Sequence, residues 1–191
     1  MCNHSDLVDR ELAGVNATNK NIYVCPLSLV DWAIDSLGAS HLITLINHDT
    51  MIETPSEIAP DNHLRLAMND IVDPMPGMVL PNEDHVADLL EFTDDWKCDA
   101  PMLIHCWAGI SRSTAAAFVA LCHLNPDVDE SIIARQLRAA SPTAYPNRRI
   151  ISLADHALSR SGRMIEAIDS MGRGEMTIEA EMFRLPVNIA I

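Results

Sequence analysis

The sequence predicts an α/β fold in a single domain: a central, mostly parallel or mixed sheet of about four to five strands flanked by helices. Short apolar runs rich in β-branched residues alternate along the chain with stretches of helical periodicity. Neither an internal repeat nor a low-complexity linker divides it. Its 191 residues are 48% apolar, enough to bury one sizeable core.

The elements follow in order. Residues 1–20 form a polar leader, with Asp6, Asp9 and Glu11 where a secretory signal would need an apolar run. The domain is expected over 21–170, with 171–191 as a tail whose docking the pattern leaves open. "IYVCPLSLV" reads as a strand with Pro26 near its end, followed by helical spacing of Leu29, Trp32, Ala33, Ile34 and Leu37 and a stop at Gly38. "HLITLINHD" is strand-like, and "HLRLAMND" alternates Leu64, Leu66 and Met68 with polar neighbours. The Pro/Gly-rich Asp73–Pro81 cannot continue regular structure and leads to a helix with Asn82 as candidate cap. "PMLIHC" is the clearest buried strand, uninterrupted as a strand covered on both faces should be. A helix then runs from Ser111 to Asn125-Pro126, its Ala115-Ala116-Ala117 run fitting close packing on the sheet. Two more helices are expected, over "DESIIARQLRAAS" and, as one long helix, from "RRIISLADHAL" past Gly162 into "RMIEAIDSM".

Charge and cysteine usage exclude several function classes. With 13 Lys+Arg against 27 Asp+Glu, a net charge of −14 argues against a nucleic-acid or anionic-membrane binder, so any anion site must be local. No window approaches the roughly 18 uninterrupted apolar residues of a membrane span. The sequon at Asn16 reads as a chance match. The five cysteines, Cys2, Cys25, Cys98, Cys106 and Cys122, contain no C-x-x-C pair. They fit reduced thiols in the cytoplasm better than a disulfide framework or a zinc site, and neither metal nor cofactor is expected.

"HCWAGISRS", His105–Ser113, carries the chemistry. A strand that ends at Cys106 and re-enters helix at Arg112 leaves backbone N–H groups without intrahelical partners, at the positive end of a helix dipole. Gly109 lets the chain approach an anion closely. Arg112 can fold back and present a bidentate fork to phosphate. The same field stabilises a thiolate on Cys106, which becomes a nucleophile aimed at phosphorus. An ordinary buried cysteine on a core strand would leave Gly109, Arg112 and Ser113 to coincidence.

At every fixed position this stretch resembles the signature of the cysteine-dependent protein tyrosine phosphatases, H-C-x-x-G-x-x-R-[S/T], and as HCxAGxSRS it looks like the dual-specificity branch. "LGASHLITLIN", "LAMND" and "ASPTAYPN" extend the resemblance over roughly residues 22–160. It implies that Cys106 forms a phosphocysteine, while Arg112 and the amides of Trp107, Ala108, Gly109, Ile110, Ser111 and Arg112 hold the phosphate oxygens. By the same resemblance Ser113 assists departure of the sulfur and His105 orders the loop. Trp107 either stands at the rim or packs beside the strand end.

A carboxylic acid on another loop must protonate the leaving group. Asp70, at the end of the 63–70 run, is the expected acid. Asp73, before Pro74, is the alternative, and either could instead make a local Asx-turn. Asn147 could hold the cradle or the acid loop, or cap a helix. Arg148 and Arg149 could widen the positive field or simply start a solvated helix. Cys25 or Cys98 could pair oxidatively with Cys106.

The resemblance therefore implies a phosphatase acting on phosphorylated protein or peptide, on phosphotyrosine and, in the dual-specificity branch, phosphoserine and phosphothreonine. A phosphatase of inositol lipid or RNA 5′-phosphate is the alternative, disfavoured by the uncharged Trp107, Ala108, Ile110 and Ser111. A phospho-binding module that captures without hydrolysis is another. Oligomeric state is left open.

Overall fold

The computed structural model describes residues 20–189. In chain order the elements are β1 (Asn21–Pro26), α1 (Val30–Leu37), β2 (His41–Ile46), β3 (His63–Ala67), α2 (Glu83–Asp95), β4 (Met102–Cys106), α3 (Arg112–Leu124), α4 (Glu130–Ala140), α5 (Arg148–Ala157), α6 (Arg163–Met171) and β5 (Phe183–Pro186). The sheet runs β3-β2-β4-β1-β5; its first four strands are parallel and β5 is antiparallel to β1. This is the mixed α/β sheet the sequence predicts. The segment set apart as a tail supplies the fifth strand, with Phe183 and Leu185 buried and Arg184 and Pro186 exposed in strict alternation.

The strands are buried on both faces because helices cover both. On one face Ile22, Val24, Ile43, Leu45, Met102 and Ile104 pack in the larger core, which includes α3 from Ala115 to Cys122. On the other face Tyr23, Cys25, Leu42 and Leu103 pack against Val30, Ala33 and Ile34 of α1. The alanines of α3 bring that helix close to the sheet, so its N-terminus sits directly at the carboxyl end of β4.

One expectation is corrected. The long helix through Gly162 is two helices, because the chain turns between Ala157 and Arg163. Gly162 sits at φ 91°, and the Asp155 carboxylate caps α6 by accepting Gly162 N–H at 2.7 Å and Met164 N–H at 3.0 Å. Arg160 turns inward at the bend and donates to the carbonyls of Pro126 (3.0 Å) and Cys122 (2.9 Å) and to Glu130 Oε1 (3.2 Å). Both segments are amphipathic at helical spacing, so apolar periodicity alone did not reveal the turn between them.

Candidate active site

Between β4 and α3 the chain turns through Trp107–Ser111, and surrounding backbone holds its carbonyls outward. Trp107 O accepts from Leu27 N–H (3.1 Å), Ala108 O from Ala180 N–H (2.9 Å), Ile110 O from Tyr145 N–H (2.9 Å), and Ser111 O from Asn147 N–H (3.2 Å). A planar trans peptide that directs its C=O one way directs the next N–H the other. None of the backbone N–H groups from Trp107 to Arg112 donates to a described residue. They are free for an anion. Ser111 also makes no side-chain cap on α3, which leaves the helix's positive end open to the same point.

Gly109 is required twice over. Its φ is 72°, and a Cβ there would stand 2.9 Å from Pro26 N and 3.0 Å from the Cys25 carbonyl carbon. The loop thus rests on the end of β1.

At the start of the loop Cys106 is only 2% exposed, its sulfur 3.1 Å from Ser113 Oγ. Arg112 is 6% exposed; its Nη1 donates to Met68 O at 2.8 Å, and its buried Nε has no partner among the described residues. A buried guanidinium N–H left unpaired is costly unless an anion completes it. Orphaned amides and an orphaned arginine donor therefore belong to the same short loop as the sulfur.

Asp70 stands beside this loop. Its Oδ1 accepts from Ser111 Oγ and from Asn147 Nδ2, each at 2.7 Å, and its Oδ2 is unengaged by described residues. Asp73 lines the same outer cleft but makes no hydrogen bond to a described residue. Asn147 does both jobs left open by the sequence. Its Oδ1 caps α5 through Arg149 N–H (3.1 Å) and Ile150 N–H (3.2 Å), while its Nδ2 holds Asp70. Arg148 is in a bidentate pair with Asp169 (3.0 and 2.8 Å), and Arg149 Nε donates to Pro81 O (2.6 Å).

Solved structures share this architecture. DUSP15 is 17% identical over 82% of this chain and 93% of that one, with a TM-score of 0.52. A mouse putative dual specificity phosphatase complexed with zinc tungstate is 13% identical over 81% and 95%, at 0.55. The human tyrosine phosphatase-like serine/threonine/tyrosine-interacting protein is 16% identical over 73% and 92%, at 0.52. The chain has the dual-specificity phosphatase fold. No protein-family model and no curated protein matches the sequence.

In this dual-specificity phosphatase fold His105 is fully buried, its Nδ1 3.4 Å from Cys106 O, and Trp107 is half exposed at the rim. Ala108 and Ile110 are partly buried. The oxidative pairing weighed for Cys106 does not fit. Cys25 lies beside His105 in the β1–β4 register and faces the smaller core, whereas Cys106 faces the larger one, so their side chains point apart. Burial pushes the Cys25 thiol up, and the nearby Cys106 adds to the shift, leaving Cys25 an inert thiol. Cys98 precedes the far end of β4, whose four steps carry Cys106 about 13 Å away. Sequence reading missed Tyr145 and Ala180 as loop supports, because both act through backbone N–H groups, which any residue provides.

Proposed function

We propose that the protein is a cysteine-dependent phosphatase of phosphorylated proteins, acting on phosphotyrosine and, in the manner of the dual-specificity branch, on phosphoserine and phosphothreonine. The observation that carries this is the set of N–H donors without a described partner, those of Trp107 to Arg112 with Arg112 Nε, on the loop that follows the Cys106 sulfur. Three equatorial phosphoryl oxygens in a trigonal-bipyramidal transition state need such a set.

In the first step Cys106 sulfur attacks phosphorus, an S–P bond forms as the ester P–O bond breaks, and the departing oxygen takes a proton from Asp70. The free Oδ2 is the oxygen suited to carry that proton. In the second step the Asp70 carboxylate takes a proton from water, whose oxygen attacks phosphorus, and the S–P bond breaks. Ser113 hydroxyl, 3.1 Å away, hydrogen-bonds the sulfur as it departs. Inorganic phosphate is the product. His105, Asn147 and Ser111 position these groups.

Phosphate esters of lipid or RNA are the second substrate class, and capture without turnover the third outcome. The test is hydrolysis of a phosphotyrosine peptide in excess chelator by wild type and Cys106→Ser, with acid-quench trapping of the phosphoenzyme. Turnover lost in the serine variant, with label on Cys106, is expected. Binding of the peptide by wild type without turnover would instead make it a phospho-binding module.

A further inference from the structure

A line of polar side chains crosses the smaller, otherwise apolar face of the sheet. Thr54 Oγ1 lies 2.9 Å from His63 Nδ1, His63 Nε2 2.8 Å from Thr44 Oγ1, and Thr44 Oγ1 2.7 Å from His105 Nε2. His105 Nδ1 then reaches Cys106 O at 3.4 Å. Thr44 and His105 are wholly buried and His63 nearly so. Thr44 stands opposite His105 in the β2–β4 register, and His63 pairs with Leu42 two residues back on β2.

The direction of the chain follows from its last link. A carbonyl oxygen only accepts, so His105 Nδ1 carries the hydrogen. Burial keeps His105 neutral, its pKa pushed down to about 4, so Nε2 accepts and Thr44 must donate to it. Thr44 has one hydrogen, so its oxygen accepts from His63 Nε2–H. His63 is likewise held down to about 4 by burial and by nearby Arg65, which leaves Nδ1 to accept from Thr54. Each donor and acceptor is used once and every arrow points to Cys106 O. Buried polar lines cost stability compared with apolar packing, and this one ends at the reacting residue.

We propose that Thr54, His63 and Thr44 are positioning residues that act through His105. By fixing its Nδ1–H tautomer they pin the Cys106 carbonyl, and through the shared peptide plane they aim Trp107 N–H into the cradle. The assignment rests on the phosphatase reading for its purpose, but its readouts do not need turnover.

The first readout is long-range ¹⁵N–¹H correlation of the wild type. Nδ1–H at His105 and Nε2–H at His63 are expected, and the opposite tautomer at either overturns the relay. The second is the pH profile of Cys106 alkylation and its protection by inorganic phosphate, in Thr44→Val, Thr44→Ser and Thr54→Val. Thr44→Val should weaken phosphate protection about tenfold and move the alkylation profile to higher pH, about what one lost buried hydrogen bond does. Thr44→Ser, which keeps the hydroxyl, should restore both. Thr54→Val should shift both in the same direction by less, and it decides the matter should Thr44→Val not fold. Folded Thr44→Val or Thr54→Val with wild-type profiles would overturn the proposal. Loss of turnover in wild type with these profiles still shifted in the variants would overturn the phosphatase reading and leave the relay standing.

Discussion

Gly109 and Asp70 carry the residue-level consequences. Gly109→Ala must shift both the loop and the end of β1, because the added methyl meets backbone rather than a flexible side chain. Overpacking of this kind costs about 1–3 kcal/mol, and a positive φ on alanine adds to it. We expect a lower unfolding midpoint together with more than a tenfold loss of phosphotyrosine hydrolysis. A variant as active as wild type would show that the loop is not held as described. Asp70→Asn should lower kcat by about 10²- to 10⁴-fold, the range of a lost general acid, while Asp73→Asn stays within a few-fold of wild type. Equal losses at both positions would remove Asp70 from the acid role. Much of this was legible in the residues: Cys106, Gly109 and Arg112 are forced into one loop by six residues of chain, so their spacing is already their geometry. Asp70 against Asp73 was not, since three residues in an irregular segment can point anywhere, and only the bonds from Ser111 and Asn147 separate them.

Among the elements, the α5–α6 break and the α4 start are tied together by one ion cluster. Glu130, at the first turn of α4, is buried and meets both Arg160 (3.2 Å) and Arg163 (3.0 Å). Its burial opposes ionisation, but the two guanidiniums prevail and hold its carboxyl below the ordinary range. Glu130→Gln leaves Arg160 buried without a counter-charge, a change that costs about 3–5 kcal/mol, measurable as a drop in denaturant midpoint. Asp155→Ala removes both caps of α6 and should cost about 1–2 kcal/mol by the same measurement. A cost near zero would mean that the turn is fixed by Gly162 alone. The sequence showed the amphipathic pattern of both helices but not the turn between them, because the capping aspartate lies seven residues before the amide it binds.

For the whole molecule, acid stability follows from the two buried histidines. Both have folded-state pKa values near 4, against 6.5 in the open chain, so between these values the unfolded state binds more protons. Their contribution is fully present above about pH 6.5 and is lost as pH falls toward 4. Glu130, with its lowered pKa, adds a loss below its ordinary 4.5. The thermal midpoint should therefore fall steadily from pH 6.5 to 4; a flat midpoint there would show that the histidines are not buried neutral. The segment after α6 ties the sheet to the cradle, since Ala180 N–H bonds Ala108 O and β5 closes the β1 edge. Removing residues 172–191 would take away the buried side chains of Phe183, Leu185 and Val187, each worth roughly 1.5–3 kcal/mol, a large share of the roughly 5–15 kcal/mol that holds a domain. The truncated chain should be unfolded or marginal by circular dichroism.

Local pattern determined the αβ alternation and the loop that joins Cys106 to Arg112, because strands, helix stops and a six-residue loop are written in neighbouring residues. Tertiary structure alone decided that Asp70 rather than Asp73 is bonded to the loop, that Cys25 faces away from Cys106, that Phe183–Pro186 completes the sheet, and that Thr44, His63 and His105 form one line. Each of these depends on contacts between residues far apart in the chain, and such contacts are set by packing and register rather than by sequence period.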